Sequence, residues 1–264
     1  MSRRVISIWL SLVMVLSLIV IVEFTVDFSV NAEGTTLYVN TTGSGGAYTK
    51  IQDAIDNASD GDTVYVYNGT YYENVIVNKT LNLAGENQIA TMINGSGSGD
   101  AVRIEADWVN ITGFSVTGGG SGLRMENVLN CSVTEINASD NIYGIYLSGS
   151  SGNNITNNTA SNNDYGLYLD SCNGNNITEN NFSHNEKGMS STGLYLYNSS
   201  NNLVSRNNIL YNSRYGSCFT ISHDNNISFN EALNNDYGIR IRLSNGNFIH
   251  KNNASENIEG ISVY

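Results

Sequence analysis

A glycine recurs at a nearly constant interval through the second half of the chain, and a short alternation of apolar residues follows each copy. These glycines are Gly122, Gly144, Gly166, Gly193, Gly216, Gly238 and Gly260. Five of the six intervals are 22 or 23 residues, and the interval between Gly166 and Gly193 is 27. A fixed period over seven copies is typical of a repeat architecture, in which each copy packs mainly against its neighbours.

Each period carries three short phrases joined by Asn, Gly and Ser. In one period they begin at 144, 153 and 157 and read "GIYL", "NNIT" and "NNTASN". Their apolar residues alternate with a period of two and are too few for a helix, which indicates strands. We therefore predict an all-β fold in which a single chain winds as a parallel β-helix, with three strands and about 22 residues per coil. About nine coils, each rising about 4.8 Å, would form a rod of about 43 Å.

Stacking of such coils predicts which residues lie above one another. Gly144, Gly166, Gly193, Gly216 and Gly238 should form one line, and asparagines at equivalent corners should hydrogen-bond along the stack. The residues predicted to face inward are Ile145, Leu147, Leu167, Leu169, Leu194, Leu196, Ile239 and Ile241. Cys131 aligns with Ile155 of the next period, so we predict a small buried apolar residue there.

The first 32 residues differ from the repeats. Arg3 and Arg4 precede a run without charge from Val5 to Val22, and "VNA" at residues 30–32 suits a signal peptidase. We predict a secretory signal over residues 1–32. An uncleaved anchor is the alternative, because about 18 apolar residues are also enough to span a bilayer. In either case the body is exported, to an extracellular or cell-surface location.

Residues 33–61 are predicted to hold a strand and a short amphipathic helix, ahead of the β-helix repeats over 62–264. Thr49 and Gln52 have the spacing of a capping box, and the helix has an apolar face. That face comprises Ile51, Ala54, Ile55 and Ala58. Such a helix would cover the open end of the first coil. No similar cap follows Tyr264, so the last coil would be bare, covered by another envelope protein, or continued in a longer chain.

The net charge and the numbers and positions of cysteine and histidine argue against several kinds of binding site. The net charge is −12, and it is unchanged by removal of the first 32 residues, which carry two Arg, one Asp and one Glu. This charge disfavours nucleic acid, and it disfavours strongly anionic glycans unless a divalent cation bridges them. Three cysteines cannot form a complete disulfide framework. Because His184, His223 and His250 occupy three different positions of the repeat, we predict no metal site and no cofactor.

The segment from residue 51, "IQDAIDNASDGDTVYVYNGTYYENVIVNKTLNLAGE", followed by the repeats, resembles a known group of exported proteins. These are the right-handed, pectin-lyase-like parallel β-helix proteins of the NosD-like and carbohydrate-binding/sugar-hydrolase repeat families, of archaeal surface type. The resemblance covers residues 35–264. It implies a right-handed coil, but this fold hosts lyases, hydrolases, esterases, epimerases and inert spacers. The NosD resemblance also implies a link to copper delivery, which extends to no residue of this sequence.

Catalytic phrases of related enzymes have no counterpart in this sequence. "GTYYENV" at 69–75 is similar to the opening of pectin methylesterases, where the phrase belongs to the framework. The catalytic phrases of those esterases and of polygalacturonases are missing. We therefore expect an exported cell-surface protein that is structural or carbohydrate-binding, without catalysis. The alternatives are a polysaccharide lyase, hydrolase or epimerase and, more weakly, a NosD-like accessory to copper-site assembly.

The longer interval, over residues 182–193, is where an enzyme site would be expected. It holds His184, Glu186 and Lys187, which could serve as base and charge neutraliser, or could be ordinary surface charges. We also expect that removing five residues from 188–192 would be tolerated, because it restores the regular period.

A binding site is expected on an outer face. Tyr146, Tyr168 and Tyr195 alternate with inward residues and should stack outward, with Arg124 before them and Arg240 beyond. Exposed tyrosines suit sugar rings, and the partner would be a neutral or amino-sugar polysaccharide. The alternative is a ladder that only stabilises the sheet.

Glycosylation is the remaining expectation. The sequence contains 15 Asn-x-Ser/Thr sequons, a number raised in part by the repeated "NNIT". The candidates are Asn68, Asn94, Asn137, Asn154, Asn176, Asn198 and Asn226.

Overall fold

The computed structural model describes residues 34–189 and 191–264, and the predicted signal or anchor segment lies outside them. The described residues form one short helix, α1 (Ile51–Asn57), a 3-10 turn at Ser44–Gly46 and a series of strands. The strands are β1 (Thr36–Val39), β2 (Thr63–Val66), β3 (Gly69–Tyr72), β4 (Val75–Val77), β5 (Asn82–Gly85), β6 (Thr91–Asn94), β7 (Val102–Ile104), β8 (Asn110–Thr117), β9 (Ser121–Glu126), β10 (Ser132–Ser139), β11 (Tyr143–Ser148), β12 (Asn154–Thr156), β13 (Thr159–Ser161), β14 (Tyr165–Asp170), β15 (Asn176–Thr178), β16 (Thr192–Tyr197), β17 (Leu203–Ser205), β18 (Tyr215–Thr220), β19 (Asn226–Ser228), β20 (Tyr237–Arg242), β21 (Phe248–His250) and β22 (Glu259–Val263).

The strands stack into two long parallel sheets that share one core. The nine-stranded sheet has the order β22-β20-β18-β16-β14-β11-β9-β7-β4. The thirteen-stranded sheet runs β1-β2-β5-β8-β10-β12-β15-β17-β19-β21, with β3, β6 and β13 attached at its side. A third, narrower face consists of single parallel bridges that link residues 159, 181, 208, 231 and 253. The prediction of a parallel β-helix is therefore confirmed. From the coil of β14 onward, the third predicted strand of each coil is reduced to a single bridged residue.

Register places equivalent residues of successive coils above one another. Leu147 pairs with Leu169, and Leu169 pairs with Leu196. All eight residues predicted to face inward are buried, with exposures of 2% or less.

The predicted line of glycines is also confirmed. A Cβ atom on Gly166 would lie 2.5 Å from the carbonyl oxygen of Gly193 and 2.9 Å from Nδ2 of Asn185. Glycine recurs because successive coils approach too closely there for a side chain.

From β9 to β20 every coil turns at four residues with left-handed backbone, and the residue after each points inward. In the coil of β14 the left-handed residues are Ser171, Gly174, Glu179 and His184. The four residues that follow them are buried, namely Cys172, Asn175, Asn180 and Asn185. A left-handed residue reverses the chain locally, so that its successor faces the core even where the strand pattern would not predict it.

At three of the four corners, the inward residues form asparagine ladders along the rod. Asn180 is typical: its Oδ1 accepts hydrogen bonds from the backbone N–H and the Nδ2 of Asn158, both at 3.0 Å, and its own Nδ2 donates to the Ile155 carbonyl at 2.8 Å. Each amide thus satisfies buried backbone groups as well as its neighbour. The ladders are Asn153–Asn175–Asn202–Asn225–Asn247, Asn158–Asn180–Asn207–Asn230–Asn252 and Asn141–Asn163–Asn185–Asn212–Asn235–Asn257.

The predicted alignment of Cys131 is wrong by two residues. Ser132 pairs with Asn154, so Cys131 lies in line with Asn153 and not with Ile155. Cys131 is buried, as expected, but it stands at the start of an asparagine ladder, and its backbone N–H donates to Oδ1 of Asn153 at 2.9 Å. Burial raises the pKa of its thiol.

The predicted capping box of α1 is also wrong. The helix has no local side-chain cap. Its first amides, those of Ile51 and Gln52, donate instead to the carboxylate of Glu73 at 2.9 and 3.1 Å. At the other end the Lys79 ammonium donates to the carbonyls of residues 55, 56 and 58 at 2.7 to 3.0 Å. An anion at the N-terminus and a cation at the C-terminus both complement the helix dipole. The predicted apolar face is buried, and α1 packs against β1, β2 and β4 at the end of the core.

One corner residue is strained, which gives a test of the corner geometry. Ile221 has φ 52°, a region that β-branched residues rarely adopt. The equivalent residues are Asn198 one coil earlier and Ser171 two coils earlier, which have the same left-handed backbone. We expect Ile221→Asn to raise the free energy of unfolding by about 1 kcal/mol in urea denaturation, because Asn tolerates this conformation. Ile142→Asn is the matched control, since Ile142 is also exposed but does not have a positive φ. An equal response of the two variants would contradict strain at residue 221.

Candidate functional site

The outer side of the nine-stranded sheet carries a cluster of five tyrosines, here called the tyrosine face: Tyr143, Tyr146, Tyr165, Tyr168 and Tyr195. Tyr146, Tyr168 and Tyr195 lie in register on the consecutive strands β11, β14 and β16. Tyr143 and Tyr165 pair in a second column beside the first. Inward leucines alternate with the outward tyrosines, so the core holds the strands while the rings remain at the surface.

The rings pack against one another and are half-buried. The Tyr146 and Tyr168 centroids lie 5.4 Å apart with an edge-to-face angle of 75°, whereas the Tyr168 and Tyr195 rings are stacked at 5.0 Å and 22°. Tyr143 stacks on Tyr146 at 5.0 Å and on Tyr165 at 5.3 Å. The five rings therefore form a continuous aromatic surface that extends over three coils, with both stacked and edge-to-face contacts.

Burial among these rings changes their acid–base behaviour. Desolvation raises the pKa of the Tyr143, Tyr165, Tyr168 and Tyr195 phenols above the ordinary value. For Tyr168 the neighbouring Tyr195 and Asp170 raise it further. The phenols therefore stay neutral and can act as hydrogen-bond donors and acceptors; the Tyr195 hydroxyl lies 3.3 Å from Oγ1 of Thr220. A surface of neutral rings with polar tips can contact the apolar face and the hydroxyls of a sugar.

Arg124 borders the tyrosine face at its N-terminal end. Its guanidinium lies 5.0 Å from the Tyr146 ring centroid, a cation–π contact. The same group forms ion pairs with Glu126 at 3.5 Å and with Asp100 at 4.0 Å, and Arg103 of the preceding coil also pairs with Glu126. The arginine charge is thus balanced by carboxylates on the sheet.

Arg240 lies in the same column but does not contact the tyrosine face, because Cys218 stands between it and Tyr195. Arg240 instead covers Tyr237, with 4.6 Å to the ring centroid, and donates to the Tyr215 hydroxyl at 2.9 Å. The structure therefore groups Arg124 with the predicted tyrosines and places Arg240 in a separate arginine–tyrosine cluster.

The second column, Tyr143 and Tyr165, was not predicted. A strict period of two would put Tyr143 and Tyr146 on opposite faces, since three positions separate them. Gly144 lies within β11 and has no paired residue in the adjacent strands, so Gly144 and Ile145 are both buried and the two rings end on the same side. The available signal was the dipeptide Tyr-Gly, which opens four of the repeats at residues 143, 165, 215 and 237.

The predicted glycosylation residues lie away from this face. Asn154 and Asn176 pair on the outer side of the thirteen-stranded sheet, and Asn226 follows in the same column. Asn137 is in β10, Asn94 ends β6, and Asn68 and Asn198 are exposed turn residues. None of the 15 sequon asparagines, all of which are described, lies within a strand of the nine-stranded sheet. Glycans at these positions would leave the tyrosine face open.

The residues of the longer interval have separate partners. His184 belongs to a regular corner, with φ 58°, and stacks on Tyr211 with ring centroids 5.0 Å apart. The Lys187 ammonium pairs with Asp140 at 2.9 Å, and Glu186 is exposed. Both groups of that ion pair are well exposed, so it contributes little stability. These contacts do not assemble a base and a charge neutraliser around one point.

Register defines the extra residues of this coil as 186–190. Thr192 pairs with Tyr165, so it occupies the equivalent position in its coil. Ser191 is therefore equivalent to Asp164, and its carbonyl accepts a hydrogen bond from the Tyr215 backbone N–H. We expect deletion of 186–190 to change the free energy of unfolding by about 1 kcal/mol or less, since loop length costs little. Urea denaturation measures this, with deletion of the core strand residues 192–196 as the control that should not fold. A collapse of stability after the loop deletion would show that the loop is structural.

Metal ligands do not converge in the part of the chain that the structure describes. No group of three or more His, Cys, Asp or Glu side chains there could hold a metal ion. His223 accepts the Asn245 amide at its Nδ1, and His250 packs on Phe229 and Phe248. In the same ranges we find no helix with the length and hydropathy needed to cross a membrane.

Together, the stacked coils define a parallel β-helix protein. The model of one family, described as "Periplasmic copper-binding protein (NosD)", matches residues 55–221 and 96–264. The chain belongs to this NosD family. The residues that the structure describes do not fit a copper centre, because they bring no three His, Cys, Asp or Glu side chains together.

A curated relative from Methanothermus fervidus is named "Cell surface glycoprotein". It is 39% identical over 105 residues, which is 39% of this chain. The match spans 17% of that relative's length.

Several solved structures share the fold. Alginate lyase from Paenibacillus sp. str. FPU-7 has a TM-score of 0.55 at 15% identity, over 87% of this chain and 98% of that chain. Pectate lyase Pel9A has a TM-score of 0.55 at 14% identity, over 83% and 78% of the two chains. The enzymatically active domain of tailspike protein 2 from bacteriophage CBA120 has a TM-score of 0.57 at 13% identity, over 76% and 39%. At these identities the similarity concerns the fold alone.

Proposed function

We propose that this chain is a non-enzymatic cell-surface β-helix module that binds a glycan chain along the tyrosine face. The observation that carries the proposal is the unbroken cluster of five tyrosine rings over three coils, on a sheet whose strands contain no sequon. The name of the M. fervidus relative, "Cell surface glycoprotein", supports a location at the cell surface. The predicted export signal agrees with that location.

The geometry favours an extended ligand that runs along the rod. Ring centroids in the main column are 5.4 and 5.0 Å apart, close to the spacing of coils and to the length of one sugar residue. One ring contributes about 1 kcal/mol by analogy with other aromatic contacts. Affinity should therefore be weak for a disaccharide and rise with chain length until the three coils are covered.

Charge selects among glycans. The net charge of −12 repels polyanions, and the arginine nearest the rings is already paired with carboxylates. Neutral or amino-sugar polysaccharides are therefore the proposed partners, and polyuronates would need added calcium. The three candidate residues of the longer interval have separate surroundings, which supports a module without catalysis.

The test is calorimetric titration of neutral and amino-sugar oligosaccharides of two to eight residues into the chain from residue 33 onward. A variant with Tyr146→Val, Tyr168→Val and Tyr195→Val should lose about 3 kcal/mol of binding free energy, roughly a hundredfold in Kd. Valine keeps the strand preference while it removes the rings. Tyr72→Val, at an exposed tyrosine outside the nine-stranded sheet, is the matched control.

Two outcomes contradict the proposal. Equal binding by the folded triple variant and the wild type would return the tyrosine face to the role of a ladder that only stabilises the sheet. Release of shortened or unsaturated oligosaccharides by the wild type, and not by Glu186→Gln, would replace the binding module by a polysaccharide-active enzyme.

A further inference from the structure

A second aromatic site lies near the N-terminal end of the described chain, where a loop folds beside β1. The loop leaves β1 after Val39 and returns at Tyr48, whose backbone N–H donates to the Tyr38 carbonyl at 2.8 Å. Between this loop and the outer side of the sheet is an open cleft of about 460 Å³. Its walls include Tyr38, Tyr67, Asn40 and Ser44. Neither the tyrosine face nor the longer interval contributes to it.

One wall of the cleft is formed by two partly uncovered rings. Tyr38 is 47% exposed and Tyr67 is 38% exposed, and their rings are nearly parallel, with centroids 6.0 Å apart and an angle of 22°. Tyr65, the neighbour of Tyr38 on β2, packs edge-on against both rings at 6.0 and 5.2 Å. Two rings held in this way present a rigid apolar surface next to polar loop groups, which is the combination that a sugar ring contacts well.

The loop that lines the rest of the cleft begins with a glycosylation sequon, Asn40-Thr41-Thr42. The Asn40 Oδ1 accepts hydrogen bonds from the backbone N–H and the hydroxyl of Thr42, both at 3.0 Å. Its Nδ2 donates to the Ser44 Oγ at 3.4 Å and, more closely, to the Ser44 carbonyl at 3.0 Å. Only one amide hydrogen is needed for that bond. A substituent in place of the other hydrogen would keep the bond to the Ser44 carbonyl and the two bonds that Oδ1 accepts, and would cost only the longer contact with the Ser44 Oγ.

We propose that Asn40 carries an N-linked glycan whose first sugar packs against Tyr38 and Tyr67 in this cleft. The modification requires a separate transferase and an activated glycosyl diphosphate donor. The bond from Nδ2 to the anomeric carbon forms, the bond from that carbon to the diphosphate oxygen breaks with its electron pair, and Nδ2 gives up one proton. The attached sugar then covers the two rings, and the glycan stabilises the loop at the start of the rod.

Asn78 offers a matched comparison. It also begins a sequon, is exposed in the turn after β4, and does not line the cleft. A glycan at Asn78 has no paired aromatic rings to cover in that turn, so its loss should not change the melting temperature. A glycan at Asn40 should stabilise the folded chain, because the ring contacts exist only in the native structure.

The experiment uses the full chain made in a host with N-glycosylation and, in parallel, in a host without it. Mass spectrometry of glycopeptides measures occupancy at Asn40 and Asn78. In each host the melting temperature of Asn40→Gln is compared with that of its parent. The difference between hosts isolates the glycan, because hydrogen bonds lost from the loop appear in both. We expect occupied Asn40 and a glycan contribution of about 2 to 4 °C.

The same comparison in a Tyr38→Thr/Tyr67→Thr background should reduce this contribution to about zero, and Asn78→Gln should show none in either background. As a second measurement, proton NMR should place signals of the first sugar on Asn40 upfield of those on Asn78, because they lie over the rings. The proposal is overturned if Asn40 is unoccupied while Asn78 is occupied. It is equally overturned if the contribution of the Asn40 glycan persists without the two rings.

Discussion

Replacement of Leu169 by aspartate is expected to abolish cooperative folding of the whole rod. Leu169 has no exposed surface and lies between Leu147 and Leu196 of the adjacent coils. A carboxylate there would be buried among apolar side chains, at a cost of several kcal/mol or more. That cost is comparable with the whole stability of a domain, about 5 to 15 kcal/mol. The loss of the leucine contacts adds to it.

Circular dichroism during thermal and urea denaturation measures this effect. Thr220→Asp is the control, since Thr220 is on the outer side of the same sheet and pairs with Arg242 in the next coil. It should change the free energy of unfolding by about 1 kcal/mol or less. A sharp transition in Leu169→Asp, near that of the control, would mean that the core accepts charge and that the assigned inward face is incorrect.

The fold could be predicted because two independent regularities agree. A constant interval between the glycines fixes the length of a coil, and alternation after each glycine fixes which side chains face inward. In a parallel stack, equivalent residues must lie above one another, so a pattern seen in one period constrains all the others. This is why the sequence alone assigns Leu169 to the core.

The corners could not be predicted in the same detail. In "NNIT" the pattern does not say which asparagine faces inward. The answer depends on the left-handed residue before the first one, such as Gly174 before Asn175. The same ambiguity misplaced Cys131 by two positions. The cap of α1 was missed for a different reason: Glu73 lies 22 residues from the amide of Ile51, and the local sequence of a helix does not reveal a partner at that distance.

The candidate site shows the same division. The column of Tyr146, Tyr168 and Tyr195 followed from alternation, and its register is as predicted. The alternation does not predict the adjoining Tyr143, because Gly144 and Ile145 are consecutive buried residues within β11. A shared column also does not establish that two residues are in contact. Arg240 lies in the column of Tyr195, but Cys218 separates it from the tyrosine face.

Residue types at outward-facing positions can differ between coils, because the inward-facing residues already stabilise the fold. Buried amides are satisfied by the asparagine ladders, and the apolar core is continuous from coil to coil. The outer column can therefore change from Tyr195 to Cys218 to Arg240 without altering the stack. Function on such a rod is consequently expected on its outer faces, where substitution costs little, and a test of the ladders should separate the two kinds of position.

Two adjacent asparagines provide that test, because Asn175 is in a buried ladder and Asn176 is on the outer face. Asn175→Leu should lower the free energy of unfolding by about 4 kcal/mol, at about 1 to 3 kcal/mol for each buried group left without a partner. Two of the groups are on Asn153: its backbone N–H and one hydrogen of its Nδ2 donate to the Asn175 Oδ1 at 2.9 and 3.1 Å, while the Nδ2 keeps its bond to the Val128 carbonyl at 3.3 Å. The third is the Ser150 carbonyl, which accepts from the Asn175 Nδ2 at 3.2 Å.

Asn176→Leu should instead change stability by about 1 kcal/mol or less, with either sign. Its Oδ1 is buried and has no hydrogen-bond partner, so its removal relieves an unsatisfied group. The bond from its Nδ2 to Oδ1 of Asn154 is lost, but that oxygen keeps the Thr156 hydroxyl at 2.8 Å. The next coil already has Leu203 at the paired position. Urea denaturation of both variants decides the matter: similar losses would mean that the ladder amides contribute no more than surface residues, and that apolar packing alone holds the coils together.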